Sequence, residues 1–344
     1  MENVVNQRLN NLDVVKAICA FLVICIHISY KEDLGNIITP LCRIAVPLFF
    51  MITGYFYHKK SKKPLKQIKK VLILTILANL LYFILGIIMN ENADVPNKEE
   101  IIDSLIYNSS PFSFQLWYLN ALLYVLIIVY IADKIHIRKY LYFLIPILIG
   151  ANIIFGEYSI AILDKDLDPV YMRNFLFTGL PYFLIGDLLY RHKDKLIKIF
   201  TSKRLLILIP IFALTTVLEE HILTSAKMDS IGEIYISTTF LAIAVFLLVV
   251  QVKQVSTNNI LAVIGRKYST YIYVIHVFFI NLFNKYVTNS NDILNNTIQI
   301  IIFFASLLVA IMYTRLKKQV LGGWKKYNNV TNTVKLLYSR RESE

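Results

Sequence analysis

Charge is scarce in this sequence. Aspartate, glutamate, lysine and arginine make up 17% of its 344 residues, while 56% are hydrophobic. A soluble chain of this length carries more charge, so a soluble globular fold is excluded. Cysteine is scarcer still. Cys19, Cys25 and Cys42 all fall in apolar stretches without paired spacing, which leaves neither a disulfide framework nor a zinc site. There is no Walker loop, dinucleotide glycine fingerprint, HExxH, Gly-x-Ser-x-Gly elbow or metal-spaced cluster. No metal cofactor is expected. No internal repeat or soluble second domain stands out. The start has no small-residue cleavage site and Lys16 interrupts its apolar run, so it does not read as a cleavable signal peptide.

What the chain has is apolar runs of about 20 residues from end to end, with a mean hydropathy of +0.56. The expectation is an all-α integral membrane protein of about ten transmembrane helices. They fall near 11–30, 37–57, 70–90, 114–132, 139–155, 173–190, 204–219, 233–251, 268–284 and about 297–315. The fifth and seventh are short and carry Pro146 and Pro210.

The loops test this count. Alternate loops and the two ends hold 28 Lys and Arg residues, and the five opposite loops hold one each. Such an asymmetry puts both termini in the cytoplasm. It also accounts for the net charge of +13, which is a loop property and implies no nucleic-acid partner. The acidic outer loops, with Glu91, Asp94, Glu99, Glu100 and Asp103 in one, read as solvated surface. A membrane domain is expected over 1–318 and a basic cytoplasmic tail over 319–344. The tail's mixture of Trp324, Tyr327 and lysines suits the anionic inner surface of the bilayer.

Three cations remain outside the loops: Lys16, Arg43 and Arg173. Ionisable groups in apolar runs are costly and mark function. Lys16 and His27 are eleven residues apart, close to three full turns, so they share a helix face. Asp13 falls near the same stripe. Arg43 and Gly54 repeat the spacing on the second span, with Pro47 between them. The alternating topology places His27 and Arg43 at one depth, near the outer third, with Lys16 below them. That describes a polar path through the membrane. Taken singly, His27 reads equally well as a hydrogen bonder between helices, and Lys16 as a side chain reaching to the interface. Other candidates are Trp117 and Tyr118 at the start of the fourth span, and Arg173 and Asn174 at the start of the sixth. Glu219 and Glu220 end the seventh, and Tyr273 and His276 lie inside the ninth. A transporter of a small solute such as an amino acid, or of a lipid-linked sugar, would use such a path as well as an enzyme. A docking module acting through the acidic loops is a third class.

Four stretches resemble the acyltransferase-3 family of bacterial membrane O-acyltransferases. They are Asp13-x-x-Lys16 with ten residues to His27, and Arg43-Ile-Ala-Val-Pro-Leu-Phe-Phe-Met-Ile-Thr-Gly-Tyr55. Leu116-Trp-Tyr-Leu119 and Tyr271-Ile-Tyr-Val-Ile-His276 are the others. The segment from Arg173 to Gly186 is similar to the membrane part of vancomycin-resistance serine racemases, a branch of that family. Two features depart from the pattern. The family most often has Arg where Lys16 stands, and Lys lacks the bidentate fork. No hydrolase-like or racemase domain follows the spans, so transfer is completed by the membrane part or handed to a separate extracytoplasmic transferase protein. The resemblance implies acetyl-CoA or another acyl-CoA as cosubstrate. It also implies a hydroxyl acceptor on an envelope glycan or lipid-linked sugar, and residence in the bacterial plasma membrane. Under it, His27, Arg43 and one of Glu219 and Glu220 are catalytic. Lys16, Arg43 and Asp13 hold the cosubstrate, and Trp117, Tyr118, Arg173, Asn174, Tyr273 and His276 meet substrate.

Overall fold

The computed structural model describes residues 9–59, 64–89, 96–228, 234–287 and 292–341. Part of the second basic loop (60–63), outer-loop Glu91 and Asp94, and residues 342–344 of the tail lie outside the described residues, as do the tail side chains beyond Val320.

Hydropathy places the helices. The chain opens on α1 (Asn10–His27), then a span in two pieces, α2 (Glu32–Cys42) and α3 (Ala45–Lys59), and the long α4 (Pro64–Met89). A short surface helix, α5 (Lys98–Ile106), precedes α6 (Trp117–Lys134). Next come α7 (Arg138–Leu141), α8 (Leu144–Phe155) and α9 (Ser159–Leu163). A wide π turn over Phe175–Gly179 runs into α10 (Leu180–Arg191), followed by α11 (Lys193–Ile199) and α12 (Ser202–Ser225). The last part holds α13 (Ile236–Gln251), α14 (Ile260–Lys267), α15 (Ser269–Tyr286), α16 (Asp292–Asn295) and α17 (Ile298–Arg341). No strand occurs among the described residues. Helices stand at all ten expected places. Among the described residues seven spans, with α2–α3 and α7–α8 counted as one each, are long and apolar enough to cross a membrane. The other three are the π turn with α10, then α13 and α15, which are shorter or more polar. The chain is a multi-pass helical membrane protein.

Exposure sorts the helices into two layers. Leu72, Ile73, Ile76 and Ile87 on α4, and Leu206, Ile207 and Leu214 on α12, are exposed apolar groups that suit lipid. The buried layer is α1, α3, α6, α10 and α15, whose side chains form one continuous core. α1 runs through its middle and is held at both ends. At the end carrying the basic loops, the Asn11 amide donates to the carbonyls of Val249, Val252 and Lys253 at 3.3, 3.3 and 3.1 Å, groups left open where α13 stops. At the opposite end the Gln299 amide donates to the Ile28 carbonyl at 3.1 Å.

Two close approaches set the core's geometry. A Cβ at Gly54 of α3 would overlap the Phe183 carbonyl of α10, and one at Gly186 of α10 would overlap the Met51 carbonyl of α3. The two backbones touch through this reciprocal pair, as small residues allow in membranes. Tyr82 of α4 makes the second approach. Its hydroxyl donates to the Val274 carbonyl at 2.7 Å and accepts from the Phe278 N–H at 3.2 Å. It thus occupies a rung of the α15 ladder, an insertion of the kind that bends helices.

The second span departs from the sequence expectation. It is not one helix. Pro40 lies in the last turn of α2 and Pro47 in the first turn of α3. Neither can donate to the residue four back, so the ladder fails between them. Arg43 sits in the break with helical dihedrals, just before α3, so the eleven residues to Gly54 cross the start of that helix.

Candidate active site

The break in the second span and the last residue of α1 meet. His27 and Arg43 line one cavity with Val23, Ile26, Val46, Trp117 and Tyr273 among its walls. It measures about 20 Å³, room for one water molecule. Thr178 reaches it from the π turn, and Ile234 from the segment before α13. The His27 ring is held by aromatic neighbours. Phe114 meets it edge-on with centroids 4.9 Å apart, and His276 stacks on it at 5.4 Å with 19° between planes. His276 is fully buried, and its Nδ1 lies 2.7 Å from the Tyr273 carbonyl. A carbonyl can only accept, so Nδ1 carries the hydrogen. Arg43 and Arg173 both act on His27 electrostatically. A neutral imidazole can serve as a base there, and the guanidinium, which opposes an imidazolium beside it, can stabilise a developing oxyanion.

A second cavity, about 720 Å³, opens at the basic end. Lys16, Lys66, Lys70 and Arg266 line it, with Tyr118 and Tyr273 on its inner wall. Lys16 Nζ lies 3.0 Å from the Asp13 carboxylate, which is itself buried, and 5.5 Å from the centre of the Phe56 ring. Gly265 forms part of this wall, and a Cβ there would overlap the Asp13 carbonyl, so α14 sits directly on the Asp13–Lys16 turn. Tyr273 belongs to both cavities and is the partition between them. Its hydroxyl donates to the Gln115 carbonyl and its ring packs on Tyr118 with centroids 5.1 Å apart.

The other candidates separate. Trp117 lines the small cavity and Tyr118 the large one, although they are adjacent in sequence. Asn174 accepts from the N–H groups of Leu176 and Phe177 at 2.9 and 3.1 Å and so starts the π turn. π turns cluster at functional sites, and this one delivers Thr178. Glu219 is engaged elsewhere. Its carboxylate accepts from the N–H groups of Ile236 and Ser237 at 2.8 and 3.0 Å, and from the hydroxyls of Ser237 and Tyr158. It caps the start of α13, where the helix dipole favours an anion. Burial and this carboxylate together push the Tyr158 phenol above its usual range, which keeps it a donor. Glu220 accepts from Thr224 one turn on, at 3.4 Å. Sequence reasoning did not single out Lys66, Lys70, Arg266, Thr178 or Ile234. The lysines and Arg266 were counted as loop charge, and nothing in a local pattern assigns such residues to a cavity.

Residues 9–315 match a family model described as an acyltransferase domain. Two curated relatives from Enterococcus faecalis, both named amino-acid racemase, align with parts of the chain. One is 28% identical over 208 residues, covering 53% of this chain and 28% of the relative. The other is 30% identical over 129 residues, covering 33% and 18%. The aligned stretches are thus well under half the length of these relatives. No solved structure matches the chain.

Proposed function

The chain belongs to the family of acyltransferase domains, and on that premise we propose that it is a membrane O-acyltransferase of the bacterial plasma membrane. It moves an acyl group, acetyl in the first instance, from cytoplasmic acyl-CoA to a hydroxyl of an envelope glycan or lipid-linked sugar on the other side. The observation that carries this reading is the pair of cavities meeting at Tyr273, one lined by four cations and one by His27 and Arg43. We take the side with the excess of Lys and Arg in alternate loops as the cytoplasmic one, so that the large cavity and both termini face it.

Each part of the donor has a counterpart. Lys16, Lys66, Lys70 and Arg266 suit the phosphates of CoA, and Asp13 holds Lys16 in place. The thin pantetheine arm reaches past Tyr273, whose ring packs on Tyr118 and has to swing aside for it. The thioester carbonyl then lies beside Arg43. His27 takes the proton of the acceptor hydroxyl as its oxygen attacks that carbon. Arg43 stabilises the oxyanion. Collapse breaks the C–S bond, and the imidazolium returns its proton to the departing thiolate. The products are an ester and free CoA thiol. Trp117, which lines the small cavity, and Arg173, which acts electrostatically on His27, would meet the acceptor. The capping role of Glu219 makes it a support for α13, not a reacting group. Acceptor release, or transfer onward to a separate extracytoplasmic protein, follows.

The test is thermal stabilisation of the purified protein in detergent by acetyl-CoA, with CoA and an unrelated nucleotide as controls. Stabilisation that moves to much higher acetyl-CoA concentration in Lys16→Ala is expected. No shift at any acetyl-CoA concentration up to the millimolar range would remove the reading. A second reading is a carrier for a small solute; the two relatives, named amino-acid racemase, make an amino acid the first solute to try. It predicts stabilisation by the solute and none by acetyl-CoA.

A further inference from the structure

The two cavities differ sharply in size. The one with the cations takes up about 720 Å³, and the one with His27 about 20 Å³. Besides His27, Arg43, Thr178 and two aromatic rings, the walls of the small one are aliphatic. Val23 and Ile26 come from α1, Val46 from the first turn of α3 and Ile234 from the segment before α13. All four are β-branched, and the three on helices have one strongly preferred χ1 rotamer. Val23 and Ile234 are each 3% exposed, so neither has open space to turn into, while Ile26 and Val46 are half-buried. The far walls are equally confined. Tyr273 is tied to the Gln115 carbonyl, and Trp117 packs near Phe50 with centroids 6.5 Å apart.

Taking the chain as the acyl-CoA-dependent transferase described above, we propose that Val23, Ile26, Val46 and Ile234 limit the transferred group to two carbons. A water-sized space accepts the methyl of an acetyl group with its carbonyl toward Arg43. One further methylene has to displace a β-branched wall or distort the backbone, and close-packed interiors resist both. Discrimination of this kind is worth about 10–200-fold per methylene. The same fit has a second consequence. A methyl that fills the cavity leaves no water beside the thioester carbonyl while the acceptor is awaited. The ruler and the exclusion of hydrolysis are one feature.

The experiment uses the full chain in membrane vesicles that carry the native acceptor. Label transfer is followed from acetyl-, propionyl-, butyryl- and succinyl-CoA, and release of CoA thiol is followed in purified protein without acceptor. Acetyl is expected to exceed propionyl by about 10–200-fold in the wild-type protein. Ile26→Ala is expected to narrow that ratio by about 10-fold or more and to raise thiol release without acceptor. Val46→Ala, on a different helix, repeats the test should Ile26→Ala not fold. Equal transfer of acetyl and butyryl or succinyl by the wild type would overturn the ruler and leave the transferase standing. So would an unchanged ratio in both folded variants. Absence of transfer from every donor, with no stabilisation by acetyl-CoA, would overturn the transferase and the ruler together.

Discussion

His27 and His276 stack almost in parallel, 5.4 Å between ring centres. They come from helices far apart in sequence, and the partner ring is locked. His276 Nδ1 is hydrogen-bonded to the Tyr273 carbonyl, one turn back on its own helix. With Phe114 edge-on at 4.9 Å, the His27 imidazole is confined on two sides. A general base held in this way works at little entropic cost. His27→Ala is expected to lower acyl transfer by about 10²–10⁴-fold. The variant should still elute as folded protein and still be stabilised by acetyl-CoA, because the donor's phosphates bind at the other cavity. Full transfer by a folded His27→Ala protein would end its assignment as base.

Much of this arrangement is readable in the sequence, and the failures have physical causes. Hydropathy finds the helices, because each must satisfy its own backbone in lipid. His27, Arg43 and Lys16 stand out because charge inside an apolar run is expensive. The break at Arg43 was signalled by Pro40 and Pro47, seven residues apart, but hydropathy averages across such a break. Glu219 looked reactive as a carboxylate at a helix end. Its partners, Ser237 and Tyr158, are contacts that no local pattern displays. Lys66, Lys70 and Arg266 are hidden for the opposite reason. A lysine in a basic loop resembles every other, and only the fold says which ones border a cavity. Asp187 should have been noticed by the rule that found His27, since it lies inside an apolar run and is fully buried.

Lys16 is the family's usual arginine position filled by a point charge. Its ammonium is 3.0 Å from Asp13 and borders the large cavity. Lys16→Ala is expected to weaken acetyl-CoA binding by roughly 10–100-fold, the range for one charge-assisted hydrogen bond. The maximal rate should change far less. Lys16→Arg keeps the charge and should recover most of the affinity. Equal weakening in both variants would show that Lys16 acts through packing on Phe56 and not through its charge.

The contact between α3 and α10 depends on two glycines without side chains to spare. Gly54→Ala and Gly186→Ala each place a methyl against a main-chain carbonyl, which has no rotamer to escape into. Each is expected to cost about 1–3 kcal/mol or more as overpacking, read as a lower melting temperature in detergent. Because α3 carries Val46 and α10 follows the π turn that carries Thr178, activity should fall with stability. Gly150, whose Cβ would meet nothing within 4 Å, is the control and should tolerate alanine.

Asp187 anchors the basic end of the same helix pair. It is fully buried, and its carboxylate meets Arg138 Nη2 and Arg191 Nε at 3.0 Å each, with the Tyr142 hydroxyl as a further donor. Arg138 also donates to both oxygens of Asp133, at 3.0 and 2.9 Å, and lies over the Tyr57 ring of α3. The cluster ties α10 to the turn before α8 and to α3. Asp187→Ala leaves the buried Arg138 with Asp133 and removes an acceptor from Arg191 and Tyr142, so it is expected to cost about 1–3 kcal/mol. Replacing both partners by apolar groups of similar size removes the half-compensated buried charge. Asp187→Leu combined with Arg138→Met should therefore be more stable than Asp187→Ala alone. Melting temperatures of the single and double variants in detergent decide this. A double variant no better than the single one would mean that Asp133, Arg191 and Tyr142 hold the end of α10 only through the charges of this pair.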